Sequence, residues 1–270
     1  MRGWDRDTAV AGYVDALTAV RALAHEVDLE RWGEPTDLEG WSVQDEFSHV
    51  TSIESALLGR TDPEHEPDYE QLPHCGEDWV KRHMERGVDL RRGRSPQDVR
   101  AELDEVVSAR LLEVAALPDD PDALVPGVLG KPRPIGNVVP IRAFDIWAHE
   151  QDVRRAVGLD QRLTGPAAEA AHDRILIALP DVLSESGVHE GSTVRWIVTG
   201  PLSFEAAVTV TDDGGVAVDD DTPADATMVM DWPTFAVLAC GRAEPSRVRV
   251  SVEGDVGLAE RVLAAMAITP

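Results

Sequence analysis

The spacing of apolar residues changes once along this chain, and the change constrains its fold more than any other feature. Over most of the first 185 residues, apolar side chains recur every three or four positions, as on one face of an amphipathic helix. Beyond Gly191 they alternate with polar residues in short runs, as in β-strands with one buried face. We therefore predict a helical bundle over residues 1–185, followed by a small α+β domain over residues 186–270.

Capping residues and prolines set the predicted ends of the helices. Ser42 precedes a periodic apolar segment and Asp45 follows three positions later, which is the pattern of a capping box. Ser95 and Pro96 suit the cap and the first position of another helix, and Pro180 is predicted to end the last helix of the bundle. The predicted bundle helices cover residues 7–25, 42–58, 77–90, 95–117, 138–157 and 166–179.

The second domain is predicted from strand-like runs separated by turn residues. Within the preceding bundle, residues 118–134 are rich in proline and are predicted to form a long loop before the helix over residues 138–157. Glycines in residues 212–215 predict a hairpin turn, and Asp231 is a suitable N-cap. The predicted strands cover residues 193–198, 204–211, 216–218, 226–230 and 248–252, with helices over 231–239 and 257–267.

The charge and the cysteine content exclude several classes of function. The chain carries 50 acidic and 25 basic residues, a formal net charge of −25, which would repel nucleic acid and anionic membranes. No apolar run approaches the roughly 18 residues of a transmembrane helix, and the N-terminus lacks the apolar core of a signal peptide. The two cysteines, Cys75 and Cys240, form no disulfide framework and no C-x-x-C motif. We therefore expect a soluble cytoplasmic protein, with no nucleic-acid or membrane partner, as a monomer or a homodimer.

A candidate metal site emerges from the spacing of histidine and aspartate. Asp145 and His149 are four positions apart on a predicted helix, so their side chains lie on one face and could hold a single ion. His49 lies two turns into the second predicted helix, at the depth where facing helices of a bundle build metal sites. Two imidazoles and one carboxylate suit zinc, and iron(II) or another divalent ion would accept the same ligands. Spacing alone leaves open a surface Asp–His pair and a packed, half-buried His49.

Two segments resemble motifs of a known family. The sequence GWSVQDEFSH, residues 40–49, is similar to the G-W-[ST]-V-x-D-x-x-x-H segment of actinobacterial DinB-like proteins. The sequence RAFDIWAHEQDVR, residues 142–154, is similar to their second segment, R-x-x-[DE]-x-x-x-H-x-x-D-x-R. The predicted order, a helical bundle followed by a small α+β domain, is similar to that of the mycothiol-dependent maleylpyruvate isomerase family. The resemblance implies a DinB-like four-helix bundle followed by a C-terminal domain with a sterol-carrier (SCP2-like) fold.

The resemblance implies a metal and a cosubstrate. It implies that His49, Asp145 and His149 hold zinc and that mycothiol, a low-molecular-weight thiol, is the cosubstrate. A metal-activated thiolate would add to an electrophilic small molecule, as in an S-transferase or an isomerase. The isomerase pattern carries Glu where this chain has Asp145, which is one methylene shorter. Zinc binding should survive that change, but the shorter reach of the carboxylate leaves the isomerase activity itself unassigned.

Other polar residues are candidates for supporting roles. Asp152, three positions after His149, could orient an imidazole or pair with an arginine. Arg242 resembles the arginine of a Gly-Arg pair in the family's C-terminal domain, and both it and Arg142 could bind a substrate carboxylate. Each arginine could equally be structural. Adjacent side chains point apart in regular structure, so His74 and Cys75 are not predicted to act together.

Two other functions are compatible with the same sequence. The bundle could carry a metal-dependent hydrolase, in which a metal-activated water attacks the substrate. Alternatively, the C-terminal domain could bind a lipid or another apolar small molecule in a protein without catalysis. Fold alone does not separate these alternatives, because function depends on the site.

Overall fold

The computed structural model describes residues 5–219 and 221–269. These residues divide into two compact units, with the division between Ala171 and His172. That point lies within a helix, and the predicted domain bounds at residues 185 and 186 stay a prediction. The helices of the first unit are α1 (Arg6–Glu26), α2 (Val43–Leu57), α3 (Trp79–Arg92), α4 (Pro96–Ala115) and α5 (Ile135–Ala156). The helix that contains the division is α6 (Pro166–Glu185).

The helices of the first unit begin where the sequence supplies caps. The Ser42 hydroxyl accepts from the Asp45 backbone N–H, and the Asp45 carboxylate accepts from the Ser42 backbone N–H, completing the predicted capping box. At the start of α4, Ser95 caps and Pro96 takes the first position. Helix α1 packs against α4 and α5, while α2 packs against α3, α4 and α5. These contacts bring α2 and α5, which carry the candidate ligands, side by side.

Helix α6 does not end at Pro180, so that prediction was wrong. The helix continues to Glu185 and buries Val182 and Leu183, which lie beyond the proline. Burying two such side chains stabilises by about 1.5–3 kcal/mol each. The sum matches or exceeds the cost of about 3 kcal/mol for a proline inside a helix. A proline is therefore a weaker stop signal when the apolar face continues beyond it.

The predicted loop at residues 118–134 contains a two-stranded antiparallel pair. Strand β1 (Leu124–Val125) pairs with β2 (Arg133–Pro134), which leads directly into α5. Each strand is too short to show an alternating apolar pattern, so the sequence does not indicate this pair of strands. The backbone N–H of Ile135 donates to the Ala123 carbonyl and fixes the start of α5.

The second unit contains a five-stranded mixed sheet with two further helices. The strands are β3 (Thr193–Thr199), β4 (Phe204–Thr211), β5 (Gly214–Val218), β6 (Ala226–Asp231) and β7 (Ser251–Gly254), and the helices are α7 (Trp232–Ala239) and α8 (Val256–Ala264). Their order in the sheet is β5-β4-β3-β6-β7, and only the β3–β6 neighbours among these pairs run parallel. In β3, Val194, Trp196 and Val198 are buried, which confirms the alternation expected of a strand with one core face.

The structure confirms an N-terminal helical domain followed by an α+β domain. In the helical unit the core is formed by apolar side chains on the inner faces of the helices, such as Leu17, Phe47 and Trp147. Among residues 5–219 and 221–269, no helix combines the length and the apolarity needed to cross a membrane.

Candidate metal centre

The three predicted ligands converge between α2 and α5. His49 extends from α2, while Asp145 and His149 extend from successive turns of α5. The distance from His49 Nε2 to Asp145 Oδ2 is 3.3 Å, and that from His149 Nε2 to Asp145 Oδ1 is 3.6 Å. Both histidines are 5% exposed, so the group is largely shielded from solvent. We refer to His49, Asp145 and His149 as the His49 cluster.

Glu46 fixes the orientation of His149. Its Oε2 atom lies 2.6 Å from His149 Nδ1, and its Oε1 atom accepts from the Thr36 hydroxyl at 2.6 Å. A carboxylate beside Nδ1 favours a proton on that nitrogen, so Nε2, the nitrogen that faces Asp145, is the one that would bind a metal ion. Sequence reasoning missed Glu46, although its position three residues before His49 on α2 places both side chains on one helix face.

Asp145 is also held by a buried arginine. Arg142 Nη1 donates to Asp145 Oδ2 at 2.7 Å, and Arg142 Nε donates to Glu54 Oε1 at 2.8 Å. The Arg142 side chain is 2% exposed, and its Nη2 atom has no hydrogen-bond partner among the described residues. The guanidinium therefore supports the carboxylate of the His49 cluster from within the bundle. Its predicted role towards a substrate carboxylate stays a prediction.

Glu54 connects this arginine to a wider buried network. Its Oε2 atom accepts from Arg110 Nε at 3.0 Å and from the Tyr13 hydroxyl. Arg110 Nη2 also donates to the Tyr13 oxygen at 3.1 Å. Glu54 is completely buried, so its charge is balanced by Arg110 and Arg142 and not by water. The network joins α1, α2, α4 and α5 beneath the His49 cluster.

The two imidazoles differ in basicity because their neighbours differ. Burial lowers the pKa of His49 to about 4, so this imidazole is neutral near pH 7 and able to ligate a metal. Burial also opposes protonation of His149, but the Asp145 charge and hydrogen bonds to Asp145 and Glu46 raise its pKa to about 10. Although burial disfavours the charged form of Asp145, the Arg142 guanidinium and both histidines hold its pKa well below the usual range. A cation bound here would replace the proton on His149.

The His49 cluster has the donor set of a metal site. One nitrogen from each histidine and one carboxylate oxygen lie within 4.8 Å of one another. Two imidazoles and a carboxylate form the kind of three-residue set that binds catalytic zinc and leaves a position open for a further ligand. The hydrogen bond that His149 Nδ1 donates to Glu46 matches the outer carboxylate that commonly orients a metal-bound imidazole. The residues present therefore fit a divalent metal, and zinc most directly.

Trp41 covers one side of the His49 cluster. Its ring centroid lies 5.3 Å from that of His49 and 5.7 Å from that of His149, against which it stacks. The indole Nε1 donates to Glu85 Oε2 at 2.9 Å, and His74 Nε2 lies 3.3 Å from the same oxygen. The hydrogen bond to Glu85 fixes the plane of the indole over the two imidazoles.

The two remaining candidates lie in different surroundings. Asp152 Oδ2 is 3.8 Å from His149 Nδ1, and its other oxygen accepts from Arg155. Glu46 is therefore the nearer acceptor for His149, while Glu46, His149 and Asp152 also lie close enough to form an alternative ligand group. In the second unit, Arg242 Nη1 donates to the Cys240 carbonyl at 2.6 Å. The roles of Asp152 and Arg242 in catalysis stay predictions.

Comparisons with known proteins agree with this architecture. Residues 13–154 match the family model described as the mycothiol maleylpyruvate isomerase N-terminal domain. A crystal structure of the mycothiol-dependent maleylpyruvate isomerase is similar, with a TM-score of 0.58, 16% identity, and coverage of 94% of this chain and 95% of that chain. A histidine-to-alanine mutant of that isomerase is similar with a TM-score of 0.60 and the same identity and coverage. No curated protein matches by sequence.

Proposed function

The chain belongs to the mycothiol maleylpyruvate isomerase family, and from this membership we propose that it is a zinc-dependent enzyme with mycothiol as cosubstrate. The observation that carries the proposal is the convergence of His49, Asp145 and His149, whose donor atoms lie within 4.8 Å of one another. The reaction would join a thiol to an electrophilic small molecule, as an S-transferase or an isomerase does.

The chemistry proposed for the site follows from its donors. Zinc held by the His49 cluster would lower the pKa of a thiol ligand, so that the thiol reacts as the thiolate near neutral pH. The thiol proton would leave to solvent, and the sulfur lone pair would form a bond to an unsaturated carbon of the electrophile while the carbon–carbon π bond breaks and its electron pair moves towards the activating carbonyl. If the electron pair returns after rotation about the former double bond, the π bond re-forms, the thiolate leaves, and the result is isomerisation. If the neighbouring carbon instead takes a proton from solvent, the carbon–sulfur bond persists and the result is a thioether conjugate.

The surrounding residues would orient the ligands and limit access of water. Glu46 would hold His149 in the tautomer that presents Nε2, and Arg142 would keep Asp145 ionised and fixed in position. Trp41 would shield one side of the cluster from solvent. Because Asp145 is one methylene shorter than the glutamate of the isomerase pattern, the family resemblance does not identify the electrophilic substrate. We therefore propose a thiol-reactive small molecule as the substrate and do not assign maleylpyruvate.

A thiol-dependence assay tests this function. Zinc-loaded protein should be stabilised by mycothiol in a thermal-shift measurement and should convert maleylpyruvate, or another electrophile in a panel, only when mycothiol is present. Glutathione is the matched control thiol. The absence of both stabilisation and thiol-dependent turnover would contradict the proposal. Hydrolysis of esters by the metal-loaded protein without any thiol would instead support the hydrolase alternative.

Changing Glu46→Gln should weaken zinc binding by about 10- to 100-fold, because carboxylate partners of metal-bound histidines contribute on that scale. The fold should persist, since glutamine has the same shape and can still accept from Thr36. The measurement is competitive zinc titration against a chromophoric chelator. Glu34→Gln is a matched control, because Glu34 is a partly exposed partner of Arg31. Equal affinity of the Glu46→Gln variant and wild type would exclude a role for Glu46 in orienting His149.

A further inference from the structure

A second group of metal-binding residue types lies beside Trp41. His74 and Cys75 lie in a short 3-10 helix, Pro73–Cys75, and Glu85 lies in α3. One donor atom from each of the three lies within 4.8 Å of the others. Cys75 is 1% exposed and the Glu85 side chain 2%. The tight turn of the 3-10 helix brings a donor atom of both neighbouring residues within 4.8 Å of the same carboxylate, contrary to the expectation from regular structure. We refer to His74, Cys75 and Glu85 as the Cys75 cluster.

The charges around the Cys75 cluster favour a cation. Arg92 contacts Glu85 Oε1, and it also lies 3.1 Å from both Asp45 Oδ1 and Asp89 Oδ1. One guanidinium thus faces three carboxylates, which leaves an excess of negative charge next to Glu85. The second carboxylate oxygen of Glu85, Oε2, faces His74 Nε2 and Trp41 Nε1 and not the arginine. That oxygen is the one available to a metal ion held by His74 and Cys75.

One residue of the Cys75 cluster, His74, lines a cavity. The cavity has a volume of about 510 Å³ and is also lined by Asp89 and Arg92, so an ion entering from it would meet the cluster on the side of His74. The ring of His74 packs directly on the backbone of Gly40, where a Cβ atom would fall 2.3 Å from His74 Nδ1. Gly40 has a φ of +80°, a conformation that glycine adopts without strain. The close approach holds the imidazole beside Glu85.

We propose that His74, Cys75 and Glu85 form a second zinc site, separate from the His49 cluster. Thiolate, imidazole and carboxylate are all established zinc ligands, and the sulfur selects zinc over magnesium or calcium. On binding, the Cys75 S–H bond breaks, its proton leaves to solvent and a sulfur–metal bond forms. The site would fix Glu85 and, through its hydrogen bond, the indole of Trp41 over the His49 cluster. Its role is therefore structural support of the neighbouring site.

Cobalt substitution distinguishes the two sites, because only the Cys75 cluster contains sulfur. Metal-free full-length protein is titrated with Co²⁺, and absorption is recorded in the near-ultraviolet, where thiolate-to-cobalt charge transfer occurs. Wild type should bind two ions per chain and show this band. Cys75→Ser should bind one ion and lose the band, whereas His49→Ala should bind one ion and retain it. Failure of the His49 cluster to bind would leave the band unchanged, so the two proposals are tested independently.

Control variants complete the experiment. Cys240→Ser replaces the other cysteine, which lies in the second unit, and should retain the band in full. His74→Ala should lose or strongly weaken it, and this variant serves if Cys75→Ser does not fold by circular dichroism. A folded wild-type protein that shows no thiolate band at saturating Co²⁺ would overturn the proposal, as would a band that persists in Cys75→Ser.

Discussion

Replacing His49 by alanine is expected to reduce zinc affinity at the His49 cluster by on the order of 100-fold or more, while the helical unit stays folded. Outer carboxylate partners alone contribute 10- to 100-fold, and the loss of a direct ligand exceeds that. The fold should persist because His49 contributes one imidazole to a core formed mainly by apolar side chains. The measurement is zinc affinity by competition with a chelator, with circular dichroism recorded on the same samples.

The matched control for this change is His25→Ala. His25 lies on α1, is half exposed and pairs with Asp104 at the surface. Its replacement should leave zinc affinity within error of wild type. If His49→Ala bound zinc at the His49 cluster as tightly as wild type, the ligand would have to be another residue. The nearby group of Glu46, His149 and Asp152 would then be the next candidate.

Glu54→Gln is expected to destabilise the protein by about 3–5 kcal/mol, the usual cost of removing one partner of a buried ion pair. Glutamine keeps the size of the side chain but leaves the buried charges of Arg110 and Arg142 without their shared counter-charge. A fall in Tm on the order of 10 °C should follow. The measurements are urea unfolding and differential scanning calorimetry.

Glu113→Gln is the appropriate control for the Glu54 experiment. Glu113 contacts the same arginine, Arg110, but half of its side chain is exposed to solvent. Exposed ion pairs contribute about 0–1 kcal/mol, so this variant should remain close to wild type. Equal stability of the two variants would show that Glu54 is not the central acceptor of the buried network.

The local part of the candidate site was predictable from sequence, and the part that depends on packing was not. Asp145 and His149 follow from helical spacing on α5, because the helix itself places them one turn apart. His49 lies 96 positions from Asp145, so its predicted role rested on the family motifs that contain both segments. Trp41 and Glu85 meet only after α2 and α3 pack, and no local pattern links them.

The same distinction applies to the fold. The caps at Ser42 and Ser95 and the alternation in β3 depend on neighbouring residues, and the structure contains each of them. The helix that passes Pro180 depends on burial of residues beyond the proline, which a local stop signal does not report. Errors of prediction therefore occur where tertiary contacts outweigh local preference.

The pairing of α2 with α5 at the His49 cluster has a consequence for the energetics of the whole helical unit. An ion bound by both helices would act as a reversible cross-link across 96 positions of chain. A covalent bond closing a loop of similar length restricts the unfolded chain by about 4–5 kcal/mol in entropic models. A metal cross-link differs because its effect grows with the free concentration of the ion. Loss of zinc would thus destabilise the bundle at the same time as it abolished the metal-dependent reaction. Degradation of the protein would then depend on the supply of zinc.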